Sequence, residues 1–98
     1  MNTNFKRMNN QTLLELPARL QVSQAAKILG FQEYEIPILV RLKLLKPLGN
    51  PAQNGHKYFS KVQILELAED PDWLDRATRA IARFFQQRNR KTEHPSVM

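Results

Sequence analysis

Gly30 and Pro37 do more than any other residues to limit what this chain can fold into. They sit in the stretch QAAKILGFQEYEIPILVRLKLLKP, Gln24 to Pro47. Ahead of Gly30, the apolar residues Ala25, Ala26 and Leu29 recur at helical spacing. Ser23 is predicted to cap a helix over Ser23–Leu29, its hydroxyl accepting from the unpaired amides of the first turn. Gly30 ends that helix, because glycine enters the left-handed region without a Cβ clash. Pro37 has no amide hydrogen and is tolerated only in a helix's first turn, where amides have no intrahelical carbonyl to meet. A second helix is therefore predicted from about Glu33 to Lys43, starting between Gln32 and Tyr34. Ile36, Leu39, Val40 and the aliphatic stem of Lys43 would lie along one side of it. The two alanines of the first helix are small enough to let another helix approach closely. The stretch thus reads as two helices joined by a tight turn.

Downstream, LLKPLGNPAQNGHKYF is predicted as two short strands, Leu45–Leu48 and His56–Phe59, around a loop. Asn54-Gly55 is a strong turn pair because both residues tolerate positive φ. Pro47 suits only an edge strand. Ser60 is predicted to cap a third helix, Lys61–Glu69, with Val62, Ile64, Leu65 and Ala68 as its apolar positions. The run EDPD breaks it. A fourth helix is predicted from Asp72, with Trp73 at its beginning, fraying after Arg88. Leu74, Ala77, Ile81 and Phe84 recur along it at helical spacing. Near the N-terminus, Thr12–Leu16 is predicted as a short helical segment ended by Pro17.

The 98 residues allow one domain, and the 42% hydrophobic content allows it a modest core. The chain has no cysteine, which removes disulfides and thiolate zinc ligation. His56 and His94 are the only histidines and make no metal-binding spacing. No glycine-rich phosphate loop and no nucleophile motif is present. Asp70 and Asp72 flank Pro71 as a helix break and cap. An enzyme is not expected, nor a cofactor, a metal or a small-molecule ligand. No run approaches the roughly 18 apolar residues of a membrane span. The polar start MNTNFKRMNNQ offers no hydrophobic region for a secretory signal, so no membrane partner and a cytoplasmic location are expected. The formal charge of +6 points toward a polyanionic partner, since neutralised phosphates release counterions. A merely solvated set of cations is the alternative.

The segments VSQAAKILGF, EIPILVRLKLLKP and GHKYFSKVQILEL, in that order, resemble the winged helix-turn-helix domains of MerR-type proteins and phage excisionases. The resemblance spans Leu20 to Leu67. It rests on Ala-Ala-x-x-Leu-Gly, on the Leu-Leu-Lys-Pro that leads into the first strand, and on the Gly-x-Lys-Tyr-Phe-Ser return. It implies a mainly α fold, a winged helix-turn-helix with a short two-stranded β-hairpin wing and a C-terminal amphipathic helix. Residues 1–11 would be a flexible leader and 12–70 the domain. Residues 71–90 would be a helix packing on that domain or on a second subunit, and 91–98 a tail. The resemblance further implies Gln32–Leu42 as the recognition helix. It places Lys57 where a wing arginine touches the DNA backbone. Tyr58 would pack the wing on the core, and Asn50–His56 would be the wing tip, reaching toward a neighbouring minor groove or phosphate.

The chain departs from that pattern at the reading head. Where the family carries Thr-Leu-Arg-Tyr-Tyr, this sequence has Glu35-Ile36-Pro37-Ile38-Leu39. Neither Pro37 nor Ile38 has a side-chain donor, and Pro37 has no backbone donor. Glu33 and Glu35 oppose phosphate unless one accepts from a cytosine amino group. Both are also ordinary first-turn residues of a helix, favoured by its dipole.

On this reading the partner is double-stranded DNA. Arg41, Lys43, Lys46, Lys57 and Lys61 would contact phosphates, with His56 at the wing tip, and Gln32, Tyr34 and Arg41 would read bases. Along the fourth helix Arg76, Arg79, Arg83 and Arg90 fall in one narrow stripe, roughly opposite Leu74, Ala77, Ile81, Phe84 and Phe85. The stripe is either a second basic face or a solvated flank. The apolar face of that helix can be covered by a second copy, forming a homodimer, or by Leu13, Leu14 and Leu16. Two functions follow. One is a small DNA-binding protein, a transcription regulator or an excisionase-like architectural factor. The other is a protein–protein interaction module with an apolar surface around Ile38, Leu42 and Leu44. An exposed apolar patch at Ile38 favours the second. A continuous positive surface across Arg41, Lys46 and Lys57 favours the first.

Overall fold

The computed structural model describes residues 16–97, with side chains through Arg88. The chain is mainly α. Its elements run β1 (Arg19–Gln21), α1 (Val22–Leu29), α2 (Glu35–Arg41), β2 (Tyr58–Ser60), α3 (Lys61–Ala68) and α4 (Pro71–Val97). The expected leader and the residues 12–15 lie outside the described residues.

The first helix begins one residue earlier than its serine suggests. β1 pairs antiparallel with β2, with Gln21 opposite Tyr58, and this holds Gln21 extended at φ −80. Gln21 is therefore the N-cap, and its amide donates to Oε1 of Gln24 at 2.9 Å. Ser23 sits inside the first turn and is exposed. The helix stops at Gly30, whose φ is 84, and the amides of Gly30 and Phe31 both donate to the carbonyl of Ala26.

α2 is shorter at both ends than the expected Glu33–Lys43. Its start is fixed by a local exchange of hydrogen bonds. The Gln32 amide donates to Oε1 of Glu35 at 2.8 Å, and the Glu35 amide donates to the Gln32 carbonyl at 2.9 Å. Pro37 falls in the first turn, as its missing amide requires. The other end closes in a Schellman arrangement. The Leu44 amide donates to the Leu39 carbonyl and the Lys43 amide to the Val40 carbonyl. The residue taking the left-handed position is Lys43, at φ 68.

The expected hairpin differs in its first arm. Leu45–Leu48 is not a strand, and the strand that pairs with β2 comes from before α1. The backbone groups that a ladder would use are engaged elsewhere. The Leu45 amide donates to the Leu39 carbonyl, and the Gln63 side chain takes both backbone groups of Lys46, at 3.1 and 3.0 Å. Only the Leu48 amide reaches β2, donating to the Tyr58 carbonyl at 2.8 Å. β2 itself covers Tyr58–Ser60 rather than His56–Phe59. Positive φ falls at Gly49 and Asn50, while Asn54 and Gly55 belong to a turn closed by the Gly55 amide on the Ala52 carbonyl.

Ser60 caps α3 as expected, its hydroxyl accepting from the Gln63 amide at 3.2 Å. The cap of α4 is Asp70 rather than Asp72: Oδ1 of Asp70 accepts from the Trp73 amide at 3.1 Å. α4 continues to Val97, through the segment expected to fray and to form a tail. Leu20 and Phe59, opposite one another in the β pair, are fully buried among Ala25, Ile36, Leu39 and Ile64. Trp73, Ala77 and Ile81 of α4 seal this core, and Leu16 packs at its edge. Val62, expected inside, is exposed. No helix among the described residues is long and apolar enough to cross a membrane.

Candidate nucleic-acid interface

The loop between α2 and β2 folds back toward α2, and an open groove of about 990 Å³ lies between them. α2 contributes Pro37, Ile38 and Arg41 to the groove, the turn after it contributes Lys43, and the loop contributes Lys46 and Lys57. Among the described residues no acidic side chain lines it. Arg41 at the end of α2 and Lys43, Lys46 and Lys57 of the loop after it therefore share one concave surface. Arg41 projects from the last turn of α2, and its charge also suits the negative end of that helix. Lys46 is exposed, while the amide clamp of Gln63 fixes its backbone to α3.

Lys43 and Lys57 reach the groove at a structural cost or with a structural duty. A residue with a Cβ in the left-handed region costs roughly 1–2 kcal/mol, and Lys43 stands there where glycine is usual. Nζ of Lys57 donates to the carbonyls of Gln53 at 2.7 Å and Gly55 at 3.3 Å. Lys57 thereby braces the loop that forms the groove's far wall. Pro37 is exposed, and Ile38 is half-buried with its inner side on the core.

The other residues singled out from sequence do not line this groove. Gln32 is held in the turn before α2 by its amide. Tyr34 is exposed and sets its ring edge-on to Phe85 of α4, 6.2 Å between centroids. The same exchange that fixes Gln32 engages the Glu35 carboxylate as a helix-start acceptor. His56 is exposed, 6.1 Å from the ring of Tyr58. Lys61 opens α3, and its amide donates to the Ala18 carbonyl. The Tyr58 ring carries the guanidinium of Arg19 at 4.3 Å. Arg19 is a residue that sequence reasoning missed, because β1 has no periodicity to announce it.

Three arginines of the α4 stripe stay together in the structure. Arg76, Arg79 and Arg83 line, with Ala80 and Phe84, a second, smaller concavity that faces Leu42 and Leu44. Arg79 is exposed and also pairs with Asp75 at 2.8 Å. The Arg90 side chain lies outside the described residues. Phe85, half-buried, packs on the core, and Phe84 stands edge-on to it at 5.5 Å. Among the described residues no cluster of histidine and carboxylate side chains could hold a metal. No protein-family model, no curated protein and no solved structure matches this chain.

Proposed function

We propose that this is a small DNA-binding protein of winged helix-turn-helix type, acting as a transcription regulator or an excisionase-like architectural factor. α1 and α2 would be the helix pair, α2 the element that enters the major groove, and the Lys46–Lys57 loop the wing. The observation that carries the reading is the convergence of Arg41, Lys43, Lys46 and Lys57 on one groove, with no acid among the described residues that line it. Such a surface neutralises phosphates and gains from counterion release.

The residues of α2 suggest how bases are read. Pro37 and Ile38 have no donors, but an apolar side chain in the major groove can meet the C5-methyl of thymine. Arg41 offers a fork of donors suited to guanine. This pairing favours sites that combine thymines with a guanine one helical turn along α2.

The interaction-module reading gains less support at Ile38. That side chain is half-buried, with its inner side on the core and its outer side in a groove shared with four cations, so it forms no separate apolar patch. An NMR titration of the isotopically labelled chain with random-sequence duplex DNA tests the proposal. It predicts amide shifts concentrated at Arg41, Lys43, Lys46 and Lys57. Shifts confined to α4, or none at saturating DNA, would overturn it.

A further inference from the structure

We infer that the concavity between the Leu42–Leu44 turn and α4 is a docking site for an acidic, amphipathic helical segment of a protein partner. The site is separate from the basic groove: the two linings share no residue, and the turn after α2 gives Leu42 and Leu44 to one and Lys43 to the other. Its volume is about 430 Å³. Leu42, Leu44, Ala80 and Phe84 form an apolar floor, with Arg76, Arg79 and Arg83 around it.

The floor is rigid. Nε1 of Trp73 donates to the Leu44 carbonyl at 3.0 Å and fixes the turn against α4. The Schellman closure fixes the same turn against α2. Leu42 is 38% exposed at the site, although it ends a helix whose other leucine, Leu39, is fully buried. A preformed apolar floor lowers the ordering cost of binding.

The rim decides the occupant. Arg79 is partnered by Asp75, whereas neither Arg76 nor Arg83 meets an acid among the described residues. Two unpaired guanidiniums over an apolar floor match a helix with glutamates or aspartates beside leucine or phenylalanine anchors. A phosphate backbone would use the arginines but leave the floor empty. A second copy of this chain would bring its own net charge of +6 to the same arginines. Charge and floor together therefore favour an acidic amphipathic partner over both.

The test uses the full chain and four probes in a chemical-shift titration. The first is a synthetic helical peptide with leucine and phenylalanine on one face and glutamates flanking them. The second has lysine for every glutamate. The third keeps the glutamates and has serine for every apolar anchor. The fourth is random-sequence duplex DNA. The first probe alone is expected to shift Leu42, Leu44, Ala80 and Phe84 in a saturable way. The paired change Arg76→Glu and Arg83→Glu, at exposed positions that leave the core intact, is expected to weaken it by about tenfold. Arg41→Ala is expected to leave peptide binding unchanged. The inference is overturned if the first probe does not bind, if the third binds equally well, or if the double variant binds undiminished. It is also overturned if DNA shifts the same four residues, or if sedimentation of the chain alone shows a dimer that the double variant disperses.

Discussion

Nε1 of Trp73 donates to the carbonyl of Leu44 at 3.0 Å, across 29 positions of sequence. That bond joins the start of α4 to the turn that ends α2, and so connects the helix proposed to read DNA with the element that seals the core. Trp73→Phe keeps an aromatic ring in place and removes the donor. The Leu44 carbonyl then loses its partner, at a cost of about 1–3 kcal/mol. Urea denaturation should show a lower midpoint at unchanged slope. An unchanged midpoint would mean that the bond contributes nothing beyond packing.

Two serines stand before or within helices and should behave differently. Ser60→Ala removes the acceptor of the Gln63 amide and should cost about 1 kcal/mol. Ser23 is exposed inside the first turn of α1, so Ser23→Ala should change stability by less than about 0.5 kcal/mol. Thermal unfolding of the two variants side by side checks the contrast. Equal losses would contradict the placement of the α1 cap at Gln21.

Lys43 should show opposite effects on stability and on binding. Glycine at this position relieves the left-handed strain and should leave the fold as stable or stabilise it by up to about 1 kcal/mol. Lys43→Gly also removes a cation from the groove and should weaken DNA binding. A variant that is destabilised and binds DNA normally would contradict both roles assigned to Lys43.

The helices were legible in the sequence because their signals are local. Gly30 in the left-handed region, Pro37 in a first turn and Ser60 at a cap each follow from the conformational limits of one residue. The pairing of β1 with β2 was not legible. Arg-Leu-Gln is too short to show alternation, and its partner Tyr58 lies far along the chain. The same distance hid the Arg19–Tyr58 contact and the Gln63 clamp on Lys46. The Leu45–Leu48 strand failed for a related reason. Its propensity was adequate, but nonlocal partners took the backbone groups a ladder needs. The cations of the groove could be picked out by charge, whereas their convergence depends on how the loop folds back.

Base preference provides another check on Pro37 and Ile38. Replacing thymine by uracil in a selected site removes only the C5-methyl group. If these side chains cover that methyl, each replaced contact should cost about 0.8 kcal/mol, or roughly fourfold in affinity. Competition binding of matched duplexes measures it. Equal affinity for both duplexes would remove the apolar contact from the proposed mode of reading.

DNA binding through the cations of the groove between α2 and the loop, as proposed, has a direct signature in its salt dependence. Fluorescence anisotropy with a labelled random-sequence duplex, titrated across a salt series, measures it. On random-sequence DNA, where Arg41 meets phosphate instead of a selected guanine, four phosphate contacts would give a slope of log affinity against log salt of about −3.6. Arg41→Ala and Lys46→Ala should each make the slope shallower by about 0.9. Binding with that slope, reduced by those two variants, is the predicted result. Absence of binding at low salt, or a slope that only Arg76 and Arg83 variants alter, would contradict the account.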